Sequence, residues 1–579
     1  MLAFYNIVFV LLAAQLLVIA SPVPPAPSSS SPPSPVTPLS PILPINVGHI
    51  QEKLQNIACI IPLLRIFLCL NQGSNQVSVN TPLGAAKGVL TTPGVARFVV
   101  RYATAPRWNA PQPVQAWSIP NNDPTALPPG CSQDESFGFA ASYSEDCLFA
   151  ILYVPASLQT LLSGGIPTMV WIHGGSFIVG SATASGLDAS KLAEATQSIV
   201  AVVQYRLGAL GLIPPPSLGG STNLAVKDVV QSLKFLQGVI PSFGGDPAKI
   251  TIAGQSSGAS MVRALLGVPT ANSLFRSAII ESDPMDFGFL KPSSLTNLQN
   301  ALFSSLSCST TDTSCLNALP ASAFVQAQNI IMNNGANIDP AAGQFEPIRP
   351  IVDGSFLATS QDGNSFPSTH KPLLITTVKN EAGLPIGGAY SQPQAVSTYT
   401  TNINNTLPDG RGSLILNSNF YASPATADGD AVRVALDTFY TDYFYRCPSL
   451  FFARTWSSLG GTVYTGLFVK GATYAGNQYV SYCLGKVCHQ DDIYILFGTT
   501  PSPTPDQTAL TKEIQARWGA FIHNANPNPI PNLYAQWAQA TPSDTHTLQL
   551  GGSGEAAPGG CTPGFWGDTV KFDWEVYGQ

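Results

Sequence analysis

Charged residues make up only 10% of this chain, well below the ~25% of an ordinary soluble protein. With so few charges, and a formal net charge of −7, there is no basic stripe to neutralise phosphates. That argues against a nucleic-acid partner. No C-x-x-C pair occurs among the ten cysteines, which argues against a zinc site. Beyond the N-terminal leader, no apolar stretch reaches the ~20 residues that span a bilayer. The closing residues, Trp574 to Gln579, carry no hydrophobic tail for a lipid anchor. No internal repeat is visible.

Residues 7–20 form one apolar run, and Val18 and Ala20 suit a small-residue cleavage site. Residues 1–20 are therefore expected to be a signal peptide, without the usual Lys or Arg before the run, and the protein is expected to be secreted and extracellular. Residues 21–45 are rich in Pro and Ser and read as an extended linker. Residues 46–75 read as an apolar N-terminal extension. Within it residues 58–70 suggest a helix packed on the main body, or a cover near a substrate entrance.

Ten cysteines fit an oxidising compartment. Cys131 and Cys147 lie close in sequence, as do Cys308 and Cys315, Cys59 and Cys69, and Cys483 and Cys488; Cys447 and Cys561 remain. Spacing alone fixes no connectivity. Asn404-Asn405-Thr406 is a glycosylation sequon in a polar stretch.

Residues 76–579 read as the folded body. Val170-Trp171-Ile172, residues 199–203, 250–253, 278–280 and 373–375 are short apolar runs, and residues 228–239 carry apolar positions at helical spacing. Buried strands alternating with helices predict an α/β fold with a mainly parallel central sheet covered on both faces.

The stretch 250–259 joins a buried strand to a helical pattern through Gly254-Gln255-Ser256-Ser257-Gly258. Such a G-x-S-x-G turn presents a serine at the top of a sheet, flanked by glycines because side chains there would collide. A serine hydroxyl needs a base and an oxyanion hole to act as a nucleophile. His173-Gly174-Gly175 directly follows a strand, and its glycine amides suit the hole together with that of Ser257. Of the six histidines, those after Ser256 are candidates for the base. His489 stands out because a polar loop there runs into the apolar segment 493–497. His523 lies in an apolar helix-like stretch and reads as structural.

These residues, taken in order, resemble the type-B carboxylesterase/lipase family of α/β-hydrolases, which includes cholinesterases and fungal lipases. The resemblance rests on Ser144-Glu145-Asp146-Cys147-Leu148 with Tyr153-Val154-Pro155, on His173-Gly174-Gly175 and on Tyr205-Arg206-Leu207-Gly208. It continues through Asn223, Lys227-Asp228 and Phe243-Gly244-Gly245-Asp246-Pro247 into the elbow. It implies an α/β-hydrolase fold and a serine carboxylic-ester hydrolase that requires no metal or organic cofactor.

In the family's acid segment this chain has Lys379-Asn380-Glu381-Ala382-Gly383, which makes Glu381 the acid. The family's H-G-x-E appears as His489-Gln490-Asp491-Asp492, without the glycine. The resemblance also implies a Cys131–Cys147 bridge that closes a short loop, and it places Ser282 where it is expected to buttress the histidine, with Gln255 beside the nucleophile as a second candidate support. Gln255 stands where family members usually have Glu, and no Trp lies between Cys131 and Cys147. Both features favour neutral over cationic esters. The alternatives are a lipase or sterol esterase with interfacial substrate, and a non-catalytic binding or adhesion protein on the same fold.

Overall fold

The computed structural model describes residues 75–92, 94–155, 165–218, 222–362, 365–427 and 429–577. The expected signal peptide, the linker and nearly all of the apolar extension, with Cys59 and Cys69, lie outside the described residues.

The core is an 11-stranded sheet. Its strands are β1 (Gln76–Thr81), β2 (Gly84–Thr92), β3 (Val95–Arg101), β4 (Phe149–Pro155), β5 (Ile166–Ile172) and β6 (Ile199–Val203). They are followed by β7 (Gly245–Gln255), β8 (Ser277–Glu281), β9 (Leu373–Val378), β10 (Val463–Phe468) and β11 (Leu548–Leu550). The spatial order is β1-β2-β3-β4-β6-β5-β7-β8-β9-β10-β11. The first four strands pair antiparallel, and β4 meets β6 antiparallel. From β6 to β11 every pairing is parallel.

The parallel strands are apolar on both faces because helices cover both. Alternate residues feed two separate cores. Val170, Ile172, Ile250, Ile252 and Ile280 point to one; Met169, Trp171, Ala253, Ile279 and Phe468 point to the other. This is the α/β architecture expected from the apolar runs, with an antiparallel edge that they did not reveal.

A third core lies apart from the sheet. It gathers Phe287, Tyr399, Phe439, Tyr443, Phe444 and Trp566, among others, from the helical segments after β8, β9 and β11. The Cys447–Cys561 disulfide ties two of these segments together across 114 residues. Cys131–Cys147, Cys308–Cys315 and Cys483–Cys488 are also bridged. Among the described residues no helix is long and apolar enough to cross a membrane.

Candidate active site

The chain ends β7 at Gln255 and begins helix α1 (Ser257–Leu266) two residues later. Ser256, alone between them, takes φ 59° and ψ −131°. That conformation costs a side-chain-bearing residue about 1–3 kcal/mol, and its surroundings impose it. The Ser256 N–H donates to the Glu281 carbonyl at 2.9 Å, while its own carbonyl accepts from Ala259 and Ser260. A Cβ on Gly258 would lie 2.2 Å from the Ile172 carbonyl oxygen, and one on Gly254 would lie 2.4 Å from that of Gly258. Neither neighbour is a flexible side chain, so the G-x-S-x-G spacing is a packing requirement.

Every residue of α1 is buried. Arg263 and Ser260 on this helix both donate to the buried Asp283 carboxylate, at 2.8 and 2.6 Å. These bonds lock the helix to the end of β8.

The loop after β5 lies directly against this turn. A Cβ on Gly174 would sit 2.6 Å from the Gln255 carbonyl oxygen and 3.0 Å from the Ser256 Cβ. Gly175 has φ 123° and its carbonyl accepts from Ile178 and Val179. His173 stacks on Tyr205 and is fully enclosed. Burial pushes its imidazole down to about 4, so it stays neutral as a structural part of the loop. Ser257 is the first residue of α1, where the N–H has no partner within the helix.

Glu381 follows β9 and is completely buried. One of its oxygens accepts from the Val378 N–H at 2.8 Å, and the other lies 2.6 Å from Nδ1 of His489. Two loops carry this pair and are fastened together. The Asn380 N–H donates to the Val487 carbonyl at 2.9 Å, and the Asn380 side-chain oxygen accepts from the Val487 N–H. A Cβ on Gly383 would meet Cys488 Sγ at 2.5 Å, so the Cys483–Cys488 bridge explains that glycine.

Asp491 organises the histidine loop. It accepts from the N–H groups of Tyr474 and Cys488 and from the Asn477 amide, at 2.6 to 2.8 Å. The missing glycine is resolved by strain: Gln490 adopts φ 77°, a left-handed conformation that glycine reaches freely.

With Nδ1 of His489 donating to Glu381, Nε2 holds the lone pair that a general base needs. The Gln255 amide nitrogen reaches this Nε2 at 3.2 Å. Ser282 makes no such contact. Its N–H donates to the Thr376 carbonyl, and its hydroxyl is buried without a partner among the described residues. The expected support of the histidine by Ser282 is not seen: the residue adopts φ 53° and its hydroxyl makes no hydrogen bond to His489. Gln255, the other candidate support, makes that contact.

Beneath the pair, Glu281 and Asp492 are fully buried and their carboxyls meet. Glu281 also accepts from the Trp518 indole at 2.8 Å. Burial above all pushes both carboxyls up; the Asp492 charge adds to the rise at Glu281, and the Glu381 charge adds to the rise at Asp492. Glu281 gave no sequence signal. Asp492 had one, its place three residues after His489.

Ser256, Glu381, His489 and Gly175 all line one cavity of about 210 Å³. Its walls include Phe137 and Phe139 from the loop closed by Cys131–Cys147, and Phe287, Phe345 and Phe444 from the aromatic core side. His523, by contrast, bonds the Thr196 carbonyl and reaches no cavity residue.

Two clusters among the described residues have the composition of a metal site. In one, Cys447 and Cys561 are consumed by their disulfide. In the other, Asp544, His546 and Glu555 are surface side chains with ordinary ion-pair contacts. Asn404 is exposed on helix Val396–Thr406.

Residues 75–559 match the model of the carboxylesterase family. The chain belongs to that family. It is 28% identical to carboxylesterase 1C of Rattus norvegicus over 459 residues, covering 73% of this chain and 79% of the rat protein. Carboxylesterase 1E of Rattus norvegicus is 27% identical over 520 residues, covering 81% and 90%. The cAMP-regulated D2 protein of Dictyostelium discoideum is 26% identical over 491 residues, covering 82% and 88%. The protein is a carboxylic ester hydrolase with the α/β-hydrolase fold.

Proposed function

We propose that this carboxylesterase is a secreted enzyme that cleaves neutral, largely apolar esters through a serine acyl-enzyme. The observation that carries the reading is the 2.6 Å bond between Glu381 and His489, in a cavity shared with the strained Ser256.

Ser256 Oγ attacks the ester carbonyl while His489 Nε2 takes its proton. Glu381 holds the imidazole in the required tautomer and stabilises the imidazolium. The N–H groups of Gly174, Gly175 and Ser257 stabilise the oxyanion. His489 then protonates the leaving alcohol, and water repeats the sequence to release the acid. The aromatic walls and the uncharged Gln255 support a neutral substrate. The short bridged loop at Cys131–Cys147 supports an esterase without a long flap. Four disulfides among the described residues support an extracellular location, where Asn404 is accessible to glycosylation.

The Ser256→Ala variant should lose p-nitrophenyl ester hydrolysis by about 10⁴-fold or more while keeping its circular dichroism spectrum. Retention of near wild-type turnover sinks the nucleophile assignment. Organophosphonate should label Ser256 covalently, as read by peptide mass spectrometry.

A further inference from the structure

The cavity is largely apolar, and its wall holds one carboxyl that the acyl-enzyme chemistry does not use. Several polar side chains on its wall are already committed. The Tyr474 hydroxyl donates to the Ser185 carbonyl at 2.7 Å, the Tyr440 hydroxyl bonds that of Thr406 at 2.6 Å, and Glu381 holds His489. Glu346 also lines the cavity, at only 5% exposure, and its carboxyl makes no hydrogen bond among the described residues.

No neighbouring cation neutralises it directly. Arg349 is three residues away, but its guanidinium donates to five main-chain carbonyls, those of Gly288, Ala342, Glu346, Phe287 and Ala341. Arg263 is bound to Asp283. A buried carboxyl without a partner ordinarily carries a cost of a few kcal/mol. Its persistence on the wall of a substrate cavity, beside the aromatic rings of Phe345 and Phe444, is a sign of recognition.

We propose that Glu346, as a neutral carboxylic acid, donates a hydrogen bond to an acceptor oxygen carried by the substrate away from the scissile ester. The preferred substrate is then an apolar ester bearing one keto or second ester carbonyl. This rests on the esterase reading of the same cavity.

The protonation state follows from the surroundings. Burial pushes the Glu346 carboxyl up to about 8, against the opposing pull of Arg349 and Arg263 and with the repulsion of Asp283. Tyr445 and Tyr205 also face it, and burial raises both phenols, so neither is charged near neutral pH. Below about pH 8 Glu346 is therefore a donor; above it, an unpaired anion in an apolar wall.

The test compares p-nitrophenyl hexanoate with its 5-oxo analogue, and a plain alkyl hexanoate with one whose alcohol chain carries a keto group. In the wild type at pH 7, kcat/KM should favour the oxo member of at least one pair by about tenfold, the effect of one good hydrogen bond. Glu346→Leu should remove or reverse that preference. Glu346→Gln, which keeps an N–H donor and cannot ionise, should retain it. Glu346→Gln should also abolish a rise in KM for the oxo ester that the wild type shows above pH 8.

Equal oxo-to-plain ratios in the wild type and in Glu346→Leu, for both pairs, overturn the proposal. Turnover of the plain esters by the free enzyme, lost once organophosphonate labels Ser256, shows that the esterase reading stands even then. Absence of all turnover and labelling in the wild type defeats that reading itself.

Discussion

The serine side and the histidine side of the site are built differently. Around Ser256, geometry is imposed by main-chain atoms close by. Gly254, Gly258 and Gly174 each have a carbonyl oxygen within 2.6 Å of where a Cβ would stand, so any side chain there would collide with the main chain around the turn between β7 and α1. Around His489, geometry comes from side chains supplied by distant segments. Asn380, Asp491, Asn477 and the Cys483–Cys488 bridge clamp two loops, and the buried Glu281–Asp492 pair supports them from below. One half tolerates almost no change in backbone. The other is a set of replaceable contacts whose electrostatics are open to tuning.

That contrast is sharpened most by removing charge from the histidine side. Glu381→Gln should cut kcat by about 10⁴-fold with little loss of fold, because the amide favours the wrong imidazole tautomer. Steady-state kinetics on a soluble ester checks this, and a loss of less than tenfold would mean that another group orients His489.

A smaller effect is expected at the junction of the two halves. In Gln255→Glu a carboxylate would replace the amide now 3.2 Å from Nε2 of His489. A nearby anion favours the imidazolium and raises its pKa. The acid limb of the kcat/KM profile should therefore move to higher pH, with activity lost first on the acidic side. An unmoved limb would show that the 255 side chain does not reach the base during turnover.

The smallest effect is expected at Gln490, where φ is 77°. Gln490→Gly relieves left-handed strain at the cost of greater freedom in the unfolded chain, so the net gain should be about 1 kcal/mol or less. Thermal unfolding monitored with intact disulfides reads it. A clear destabilisation would show that the glutamine side chain holds the loop.

Much of the fold was legible because buried parallel strands leave short apolar runs. The runs at 170–172, 199–203, 250–253, 278–280 and 373–375 all lie within strands of the sheet. Short strands were legible from about Gln76, but their antiparallel pairing was not, since the alternation of buried and exposed residues in β1 marks a strand without naming its partner or direction. In the site, glycine spacing pointed to the elbow, and motif order singled out Glu381 and His489. Ser282 and Gln255 were both candidate supports for His489, and only the folded arrangement separates them, since of the two Gln255 contacts the imidazole. Glu346 was silent in the sequence, because a glutamate between Phe345 and Pro347 reads as an ordinary surface residue.

The sequence by itself determined the turn that carries Ser256 and the order of the groups around it, because those depend on sterics between residues a few positions apart. Only the tertiary structure decided how Cys447 and Cys561 pair, that Gln255 rather than Ser282 reaches His489, that Glu281 and Asp492 are buried near each other, and that Glu346 faces a largely apolar cavity. Those outcomes turn on burial and on distances between segments far apart in the chain, and the cost of isolating a charge or a polar atom from water exists only once the fold has closed around it.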